Sequence, residues 1–532
     1  MTDITITRRH ALGLGLGAAA ACYLPWNGVA RAAARADAPP LPVPPLIEPD
    51  GNGVVKLRLG KGRHAFRVGS EAASAGVNGS YLGPLLRLEN GARVTLAVEN
   101  ALGEETTMHW HGLFVPSRLD GGPHNIIKPG ETWSPEVTID QPPSFNWFHP
   151  HMHGDTARQA HMGLAGLIVV TDGKDGERGL PQSYGIDDLP LVLQDRRVIE
   201  GEDVYAPDLM DLIHGFRGDI LIVNGVEGPV AAVPKGIVRL RLLNGANARN
   251  FHLRLSDGRP LHVFASDGGF VAAPGPVSRL TVAPGERYEC LVDFSGGSAV
   301  DLLTLADDEE TGEELHVMRF VPDAGLPVAV TAIPARLEDP GMPDPSLSIR
   351  RRSFVFDERL AANMALMKAP SGQMESGHGM AGMHSGHDMG SMEMEGMHDM
   401  DHSMHQGRSA GDAGAPVAAL ASGVRMAMAG EPFDMNHIDV EAKLGSFEIW
   451  ELQTQEMAHP FHIHGASFRI LTKNGEPPVP HEAGWKDVAL INGRAELLIR
   501  FDREADRDHP FMFHCHILEH EDVGMMAQFV TV

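Results

Sequence analysis

The sequence predicts an all-β chain built from three related β-sandwich domains, and three observations carry that prediction. The chain holds 60 Gly and 38 Pro in 532 residues, a supply of turn-formers that favours many short strands. Runs such as Val54-Val55-Lys56-Leu57-Arg58-Leu59 alternate apolar and polar residues at the period of a half-buried strand. One run of this kind comes back three times, each time a short interval before a histidine-containing segment.

From the N-terminus, Thr7-Arg8-Arg9-His10 precedes an apolar stretch from Ala11 to about Leu24, and Ala34-Arg35-Ala36 stands before Asp37. Residues 1–36 therefore look like a twin-arginine export signal with an A-x-A-like cleavage site, and a periplasmic location is expected. The apolar run is short and rich in Gly and Ala for a membrane anchor, and no other segment is long and apolar enough to span a bilayer, so stable membrane insertion is not expected. Cys22 follows Ala19-Ala20-Ala21 and lacks the large aliphatic neighbour of a lipid-attachment cysteine.

A Pro-rich lead (Pro39 to Pro45) opens the mature chain. The recurring strand then reads Ala92-Arg93-Val94-Thr95-Leu96-Ala97-Val98 before His109, Gly236-Ile237-Val238-Arg239-Leu240-Arg241-Leu242-Leu243-Asn244 before His252, and Ser446-Phe447-Glu448-Ile449-Trp450-Glu451-Leu452 before His459. The expected domains are 37–180, 181–335 and 336–532, because a chain of this length exceeds what one core organises. Between about 364 and 419 the pattern fails. Met374 to His405 contains nine Met and six His among Gly, Ser, Asp and Glu, a composition that builds no core and is expected to be disordered.

The charge balance is 44 basic against 70 acidic residues, or −26, which excludes a polyanionic partner such as nucleic acid and favours cationic ligands. Twenty-eight His and 25 Met against three Cys (Cys22, Cys290, Cys515) point to metal binding through imidazole and thioether, with no disulfide framework. Cys290, in Tyr288-Glu289-Cys290-Leu291-Val292, reads as a buried strand thiol.

Four clusters carry the chemistry: His109-Trp110-His111, His149-Pro150-His151, His462-Ile463-His464 and His514-Cys515-His516. On a strand, residues i and i+2 share a face, so each His-x-His offers two imidazoles in one direction. In the last cluster the thiolate faces the other way, which lets one strand serve two metal centres. His459 lies an odd number of residues before His462 and is expected on the thiolate side. Cys515, His459, His520 and Met525 then make the donor set of a blue-copper site: thiolate, two imidazoles and a distant thioether. Eight imidazoles remain, enough for three further coppers held by two, three and three. A zinc site would need only three or four imidazoles and leaves the Cys-x4-His-x4-Met tail without a purpose. His153, His161 and His252 complete no such pattern and read as supporting or structural residues.

On these motifs the chain, from about Asn52 to Val532, resembles three-domain multicopper oxidases of the laccase family, and most of all the bacterial periplasmic copper efflux (cuprous) oxidases. The resemblance implies three cupredoxin-like Greek-key β-sandwiches and four copper ions: one type 1, one type 2 and two type 3. It implies that His109 and His462 bind the type 2 copper, that His111, His149 and His516 bind one type 3 copper, and that His151, His464 and His514 bind the other. It also matches Asp120 (in Leu119-Asp120-Gly121-Gly122) and Glu521 (in Glu519-His520-Glu521-Asp522) to acids that deliver protons to oxygen. Such carboxylates can instead only orient histidine ligands.

The resemblance implies a monomeric enzyme that couples one-electron oxidation of Cu(I), and of phenols, to reduction of O2 to water. Family members carry a Met-rich insert over the blue copper, so the insert reads either as a copper-recruiting lid or as a solvated linker. Gln455-Glu456-Met457-Ala458 stands where the family places an Asp and a Met as substrate-copper ligands. Met457 is retained, and Glu456 is the expected substitute for the acid; Asp357 lies near the other half of that site. Two further functions stay open: a laccase acting on organic phenols, and a non-enzymatic periplasmic copper-storage protein.

Overall fold

The computed structural model describes residues 38–199, 202–306, 312–358 and 426–532. The export signal, Cys22 and the Met/His insert lie outside the described residues. The fold is three successive β-sandwiches, and the recurring strand occupies the same place in each. Arg93–Ala101 pairs parallel with Val54–Arg67, Ile237–Asn244 with Asp188–Arg196, and Ser446–Gln453 with Ser348–Val355. The repeated texture in the sequence thus corresponds to a repeated topology: a strand beside an earlier one of its own sandwich, reached by a crossover.

In the first sandwich the sheet order Leu46–Ile47, Leu85–Glu89, Gly166–Thr171, Ser144–Phe148 faces the sheet built on Ser70–Val77, Val54–Arg67 and Arg93–Ala101. Val55, Leu57, Leu59, Leu88, Leu96, Trp110 and Ile168 fill the space between. The Pro-rich lead crosses to the second sandwich, where Leu41 N donates to Val230 O and Val230 N to Pro39 O, both at 2.8 Å.

The second sandwich pairs a seven-stranded sheet with a five-stranded one around Leu191, Leu240, Leu242, Phe251, Tyr288, Cys290 and Phe320. Its repeated strand, Ile237–Asn244, is buried on both faces. The alternation read as apolar-in and polar-out is satisfied differently: Arg239 Nε donates to Glu289 Oε2 at 2.6 Å, and Arg241 Nε to Asp188 Oδ1 at 2.7 Å. Buried guanidinium groups persist only when paired this way.

The third sandwich sets Ser348–Val355, Ser446–Gln453, Arg494–Phe501 and Ser467–Lys473 against Val440–Ala442, Met526–Thr531, Phe511–Cys515, His459–Ile463 and Val488–Ile491. Trp450, Phe461, Phe468, Phe501 and Phe513 form its aromatic centre. Within the second of these sheets Phe461 lies opposite Cys515 and His462 opposite His514, which fixes which histidine meets which face. Among the described residues no helix is long and apolar enough to cross a membrane. Two short helices matter to the site. Leu518–Asp522 follows the Cys515 strand, and Asp522 Oδ1 and Oδ2 accept from Thr156 N and Ala157 N, each at 2.9 Å, at the start of the helix Thr156–Met162.

Candidate metal centre

Two sites lie on opposite sides of the His514-Cys515-His516 segment. On one, Cys515 Sγ is 3.3 Å from His459 Nδ1 and 3.6 Å from His520 Nδ1, and the two nitrogens are 3.3 Å apart. A point equidistant from the three atoms lies about 2.0 Å from each, a normal metal–nitrogen distance and slightly short for sulfur. His459 takes its place because it begins a strand and, an odd number of residues from His462, faces the thiol. His520 sits in the helix Leu518–Asp522, with Nε2 2.9 Å from Ile213 O. The outer nitrogen of His520 is thereby occupied, as Glu358 Oε1 occupies that of His459, and Nδ1 of each is left for a metal.

Met525 is fully buried, and a backbone loop ties it to the same site: its N–H donates to His520 O at 2.9 Å, and its carbonyl accepts from Cys515 N at 3.1 Å. Burial, reinforced by the carboxylates Glu358, Glu521 and Glu519, pushes the Cys515 thiol well above its usual range. In the metal-free chain that sulfur holds its proton; a bound cation removes it.

On the other side eight imidazoles enclose a chamber between the first and third sandwiches. The two motifs of the first domain meet through a single antiparallel bridge, in which His109 N donates to His149 O at 2.8 Å and His149 N to His109 O at 3.1 Å. The His-x-His motifs read as lying on strands in fact straddle strand ends: His464 and His516 each stand one residue past a strand, and His109 and His111 lie in a loop. Strand ends leave backbone groups unpaired, so rings can converge from several directions instead of standing in rows.

The nitrogen atoms sort clearly. His151 Nε2 and His464 Nε2 each lie 3.3 Å from His514 Nε2, the trio expected for one type 3 copper. His111 Nδ1 lies 3.3 Å from His149 Nε2. His516 faces this pair at ring-centroid distances of 5.2 and 5.5 Å and, among the described residues, joins no tighter trio; the closer grouping there is His109, His111 and His149. The two residues expected at the type 2 copper, His109 and His462, have ring centroids 5.8 Å apart. Their Nε2 atoms, and both ring nitrogens of His516, are buried without a hydrogen-bond partner among the described residues. Buried polar atoms left this way in a native fold call for an occupant, and converging imidazole nitrogens fit copper.

The outward nitrogens are held by the protein. His462 Nδ1 meets Asp487 O at 2.9 Å, His149 Nδ1 meets Pro150 O at 2.8 Å and His514 Nδ1 meets Cys515 O at 2.9 Å. Asp120 Oδ2 lies 2.8 Å from His464 Nδ1 and 3.1 Å from His109 Nδ1, so one carboxylate grips a ring from each of two domains. The Glu521 oxygens lie 3.3 Å from His151 Nδ1 and from His514 Nδ1. Burial lowers the pKa of His111, His149, His151, His462, His464 and His516 well below the imidazole range, helped by neighbouring imidazoles, and brings His514 to about 3. Neutral rings are the form that binds metal. Burial pushes Glu521 up to about 8 and Glu519 to about 7.

Four carboxylates at the site were not singled out in the sequence. Glu358 Oε1 lies 2.5 Å from His459 Nε2 and accepts from Met457 N at 3.4 Å, while Glu456, the expected acid, is exposed. Asp357 pairs its backbone with Ala427. Glu519 accepts from Tyr205 Oη, Asn247 Nδ2 and Phe216 N, and Asp522 anchors the helix described above. Asp487 Oδ1 lies 3.3 Å from His111 Nε2. No spacing rule flags these acids, because each reaches its partners across a strand or domain boundary. Of the residues read as supporting, His161 Nδ1 accepts from Arg196 Nη1 at 2.9 Å, and His252 Nδ1 bonds Thr281 Oγ1 at 2.9 Å. Cys290 is fully buried.

Three family models described as multicopper oxidase match residues 59–175, 188–301 and 411–532. The cell division protein FtsP of Yersinia pestis is 34% identical across 99% of both chains, and that of Escherichia coli (strain K12) is 33% identical across 94% of both. Among solved structures, a bacterial laccase-like multi-copper oxidase CueO from Ochrobactrum sp., with oxidase activity towards lignin model compounds and lignosulfonate, is 63% identical with a TM-score of 0.82. That match covers 93% of this chain and 100% of that one. A laccase from Pediococcus acidilactici is 30% identical over 93% of both chains, with a TM-score of 0.71. Matched by one family along each of its sandwiches and by relatives along nearly its whole length, the chain belongs to the multicopper oxidase family.

Proposed function

We propose that this protein is an enzyme that oxidises Cu(I) to Cu(II), with phenols as secondary reductants, and reduces O2 to water. It would act in copper tolerance, in the periplasm, after export on the Thr7-Arg8-Arg9-His10 signal. The observation that carries the reading is the segment His514-Cys515-His516, which joins a thiol–imidazole triangle to an imidazole chamber through one covalent backbone. His459, Cys515, His520 and Met525 would hold one copper, and the eight chamber imidazoles three more. Bound there, copper supplies one-electron acceptance at the thiolate and four-electron reduction of O2 in the chamber.

The chain's own residues do the rest. Glu358 and the Ile213 carbonyl orient the two imidazoles of the triangle. Asp120 and Glu521, each in contact with two chamber histidines, are placed to hold protons beside the chamber, and burial keeps bulk water from competing. The overall reaction takes four Cu(I), one O2 and four protons to four Cu(II) and two waters. Cu(I) is favoured as substrate by the Met-rich and His-rich composition of Met374 to His405 and by the net charge of −26. Met457 would contribute a thioether to that substrate; the buried Glu358, in contact with Met457, is a better placed acid than the exposed Glu456.

Deleting residues 374–405 tests the reading: O2-dependent Cu(I) oxidation should fall, and unchanged Cu(I) kinetics would remove the copper substrate from it. A second reading has specific support. A cleft of ≈ 280 Å³ beside His459, lined by His214, Arg217, Asn250, Met457 and Pro460, has room for an organic reductant, and the CueO from Ochrobactrum sp. is named for oxidase activity on lignin compounds. A laccase of that kind would oxidise phenols faster after the deletion while its Cu(I) turnover stayed poor. The FtsP relatives bear the name of a cell division protein, which keeps a non-enzymatic copper-holding role in view. Fully loaded protein that consumed no O2 with any reductant would establish that role.

A further inference from the structure

The middle sandwich supplies none of the chamber histidines, yet two of its residues lie against them. Gly285 has φ +81°, and a Cβ built there would sit 2.7 Å from His516 Cδ2 and 2.8 Å from His516 Nε2. The imidazole rests on bare backbone that no other residue could provide. Two residues on, Arg287 is wholly buried and grips Asp487 of the third sandwich with a two-pronged fork, Nη1 to Oδ1 at 2.5 Å and Nη2 to Oδ2 at 2.7 Å. Asp487 in turn lies 3.3 Å from His111 Nε2, and its backbone carbonyl holds His462 Nδ1 at 2.9 Å.

The other donors of Arg287 extend the clamp to all three domains. Nε donates to Phe145 O at 3.1 Å and Nη2 to Asn146 Oδ1 at 3.3 Å in the first sandwich, while Nη1 reaches Gly285 O at 3.2 Å. A Cβ on Gly112, next to His111, would meet Nη2 at 2.6 Å, so the His111 loop lies flat on the guanidinium. Asp267 secures the base: it accepts from Arg287 N at 2.8 Å, and its Oδ2 lies 3.0 Å from Lys486 Nζ.

We propose that Arg287 is a positioning residue for the chamber: through Asp487 it sets where His111 and His462 aim their nitrogens, so that the middle sandwich determines copper retention without supplying a ligand. This inference rests on the copper-chamber reading above. A merely architectural ion pair would stabilise the domain junction and leave the chamber's metal properties alone. Arg241, also buried and forked onto Asp188 within the same sandwich, shows no contact with a chamber histidine among the described residues and provides that comparison.

The test uses copper-loaded full-length protein with R287Q, R287K and R241Q, read by copper per chain after dialysis against graded chelator and by the electron paramagnetic resonance signal of the non-blue copper. R287Q should lower retention of chamber copper 10- to 100-fold and alter that signal, with the blue absorption of the Cys515 site retained. R287K keeps the charge but not the fork and should fall between R287Q and wild type. R241Q should lose thermal stability with the chamber unchanged. Wild-type retention and signal in R287Q overturn the inference, as does an equal chamber loss in R241Q. Should R287Q fail to fold, R287K decides: an unchanged signal overturns the inference. Wild-type protein that takes up no chamber copper overturns the function reading and this inference together; loaded wild type beside an unchanged R287Q overturns this inference alone.

Discussion

Glu358 sets its carboxylate 2.5 Å from Nε2 of His459, on the edge of the ring turned away from Cys515. The imidazole is held at both edges: Nε2 meets the buried Glu358 carboxyl group, and Nδ1 faces the sulfur at 3.3 Å. A carboxylate in this place makes the ring a stronger donor and favours the more highly charged metal state. In E358Q the hydrogen bond survives and the charge does not. The reduction potential of the blue site should rise by about 50 mV, the equivalent of about 1 kcal/mol in a one-electron couple. Redox titration of the blue band checks this, and an unchanged potential would reduce Glu358 to a spacer.

That residue also shows where sequence reasoning stops. The convergence of these histidines with Cys515 was legible because their spacing is regular: His-x-His pairs, a Cys between two His, and His459 at an odd offset from His462. The sandwich repeat was legible for the same reason. Glu358, Asp487 and Glu519 obey no period. Glu358 lies 101 positions from its histidine and Asp487 376 from His111, and only the pairing of strands brings them together. Glu456 stands out in the sequence for its nearness to Met457, but it lies in the bend between the strands Ser446–Gln453 and His459–Ile463 and is exposed. The clash between His516 and any side chain at Gly285 likewise arises where a turn of the second sandwich meets the third, visible only once both are placed.

Protons couple to the fold of the copper-free chain in two opposing ways. The chamber imidazoles have depressed pKa values, so below about pH 6.5 the unfolded chain binds protons that the native chain refuses, and stability falls as pH falls. Glu519 and Glu521 are raised to about 7 and about 8, so above the ordinary carboxyl range of 4.5 the native chain holds more protons than the unfolded one. Their contribution declines as pH rises and is lost above about pH 8. Asp522 is raised well above its usual range as well, and Asp487 and Glu286 are raised, but the depressed imidazoles outnumber these acids, so stability should climb from pH 5, peak between about 6.5 and 7, and decline towards 8.5. Urea midpoints of copper-free protein across that range check the curve. A stability that only rises with pH would contradict the raised carboxyls.

Asp120 belongs to the first sandwich and grips a third-sandwich ring, at 2.8 Å from His464 Nδ1. D120N keeps the shape and removes the exchangeable acid. Turnover at saturating reductant should fall about 100-fold, the scale of a lost general acid. Anaerobic bleaching of the blue band by the same reductant should stay within about twofold of wild type, because Cys515 and its partners do not touch Asp120. Equal slowing of both steps would place the effect in the fold rather than in proton supply.

Met525 is tied by its backbone as well as by its buried side chain: its N–H reaches His520 O and its carbonyl accepts from Cys515 N. M525L therefore leaves those tethers in place and conserves volume, so stability should change by less than about 1.5 kcal/mol. What it removes is the thioether, which on the proposed reading is a weak donor to the copper of the Cys515 site. The reduction potential should rise on the order of 50 mV, about 1 kcal/mol for a one-electron couple. Glu358 acts on the same site from the far edge of His459, with no shared contact, so the shifts in E358Q and M525L should add in the double variant. A double variant well short of the sum would mean that both side chains act through one displacement of His459, and the axial role of Met525 would then have to be given up.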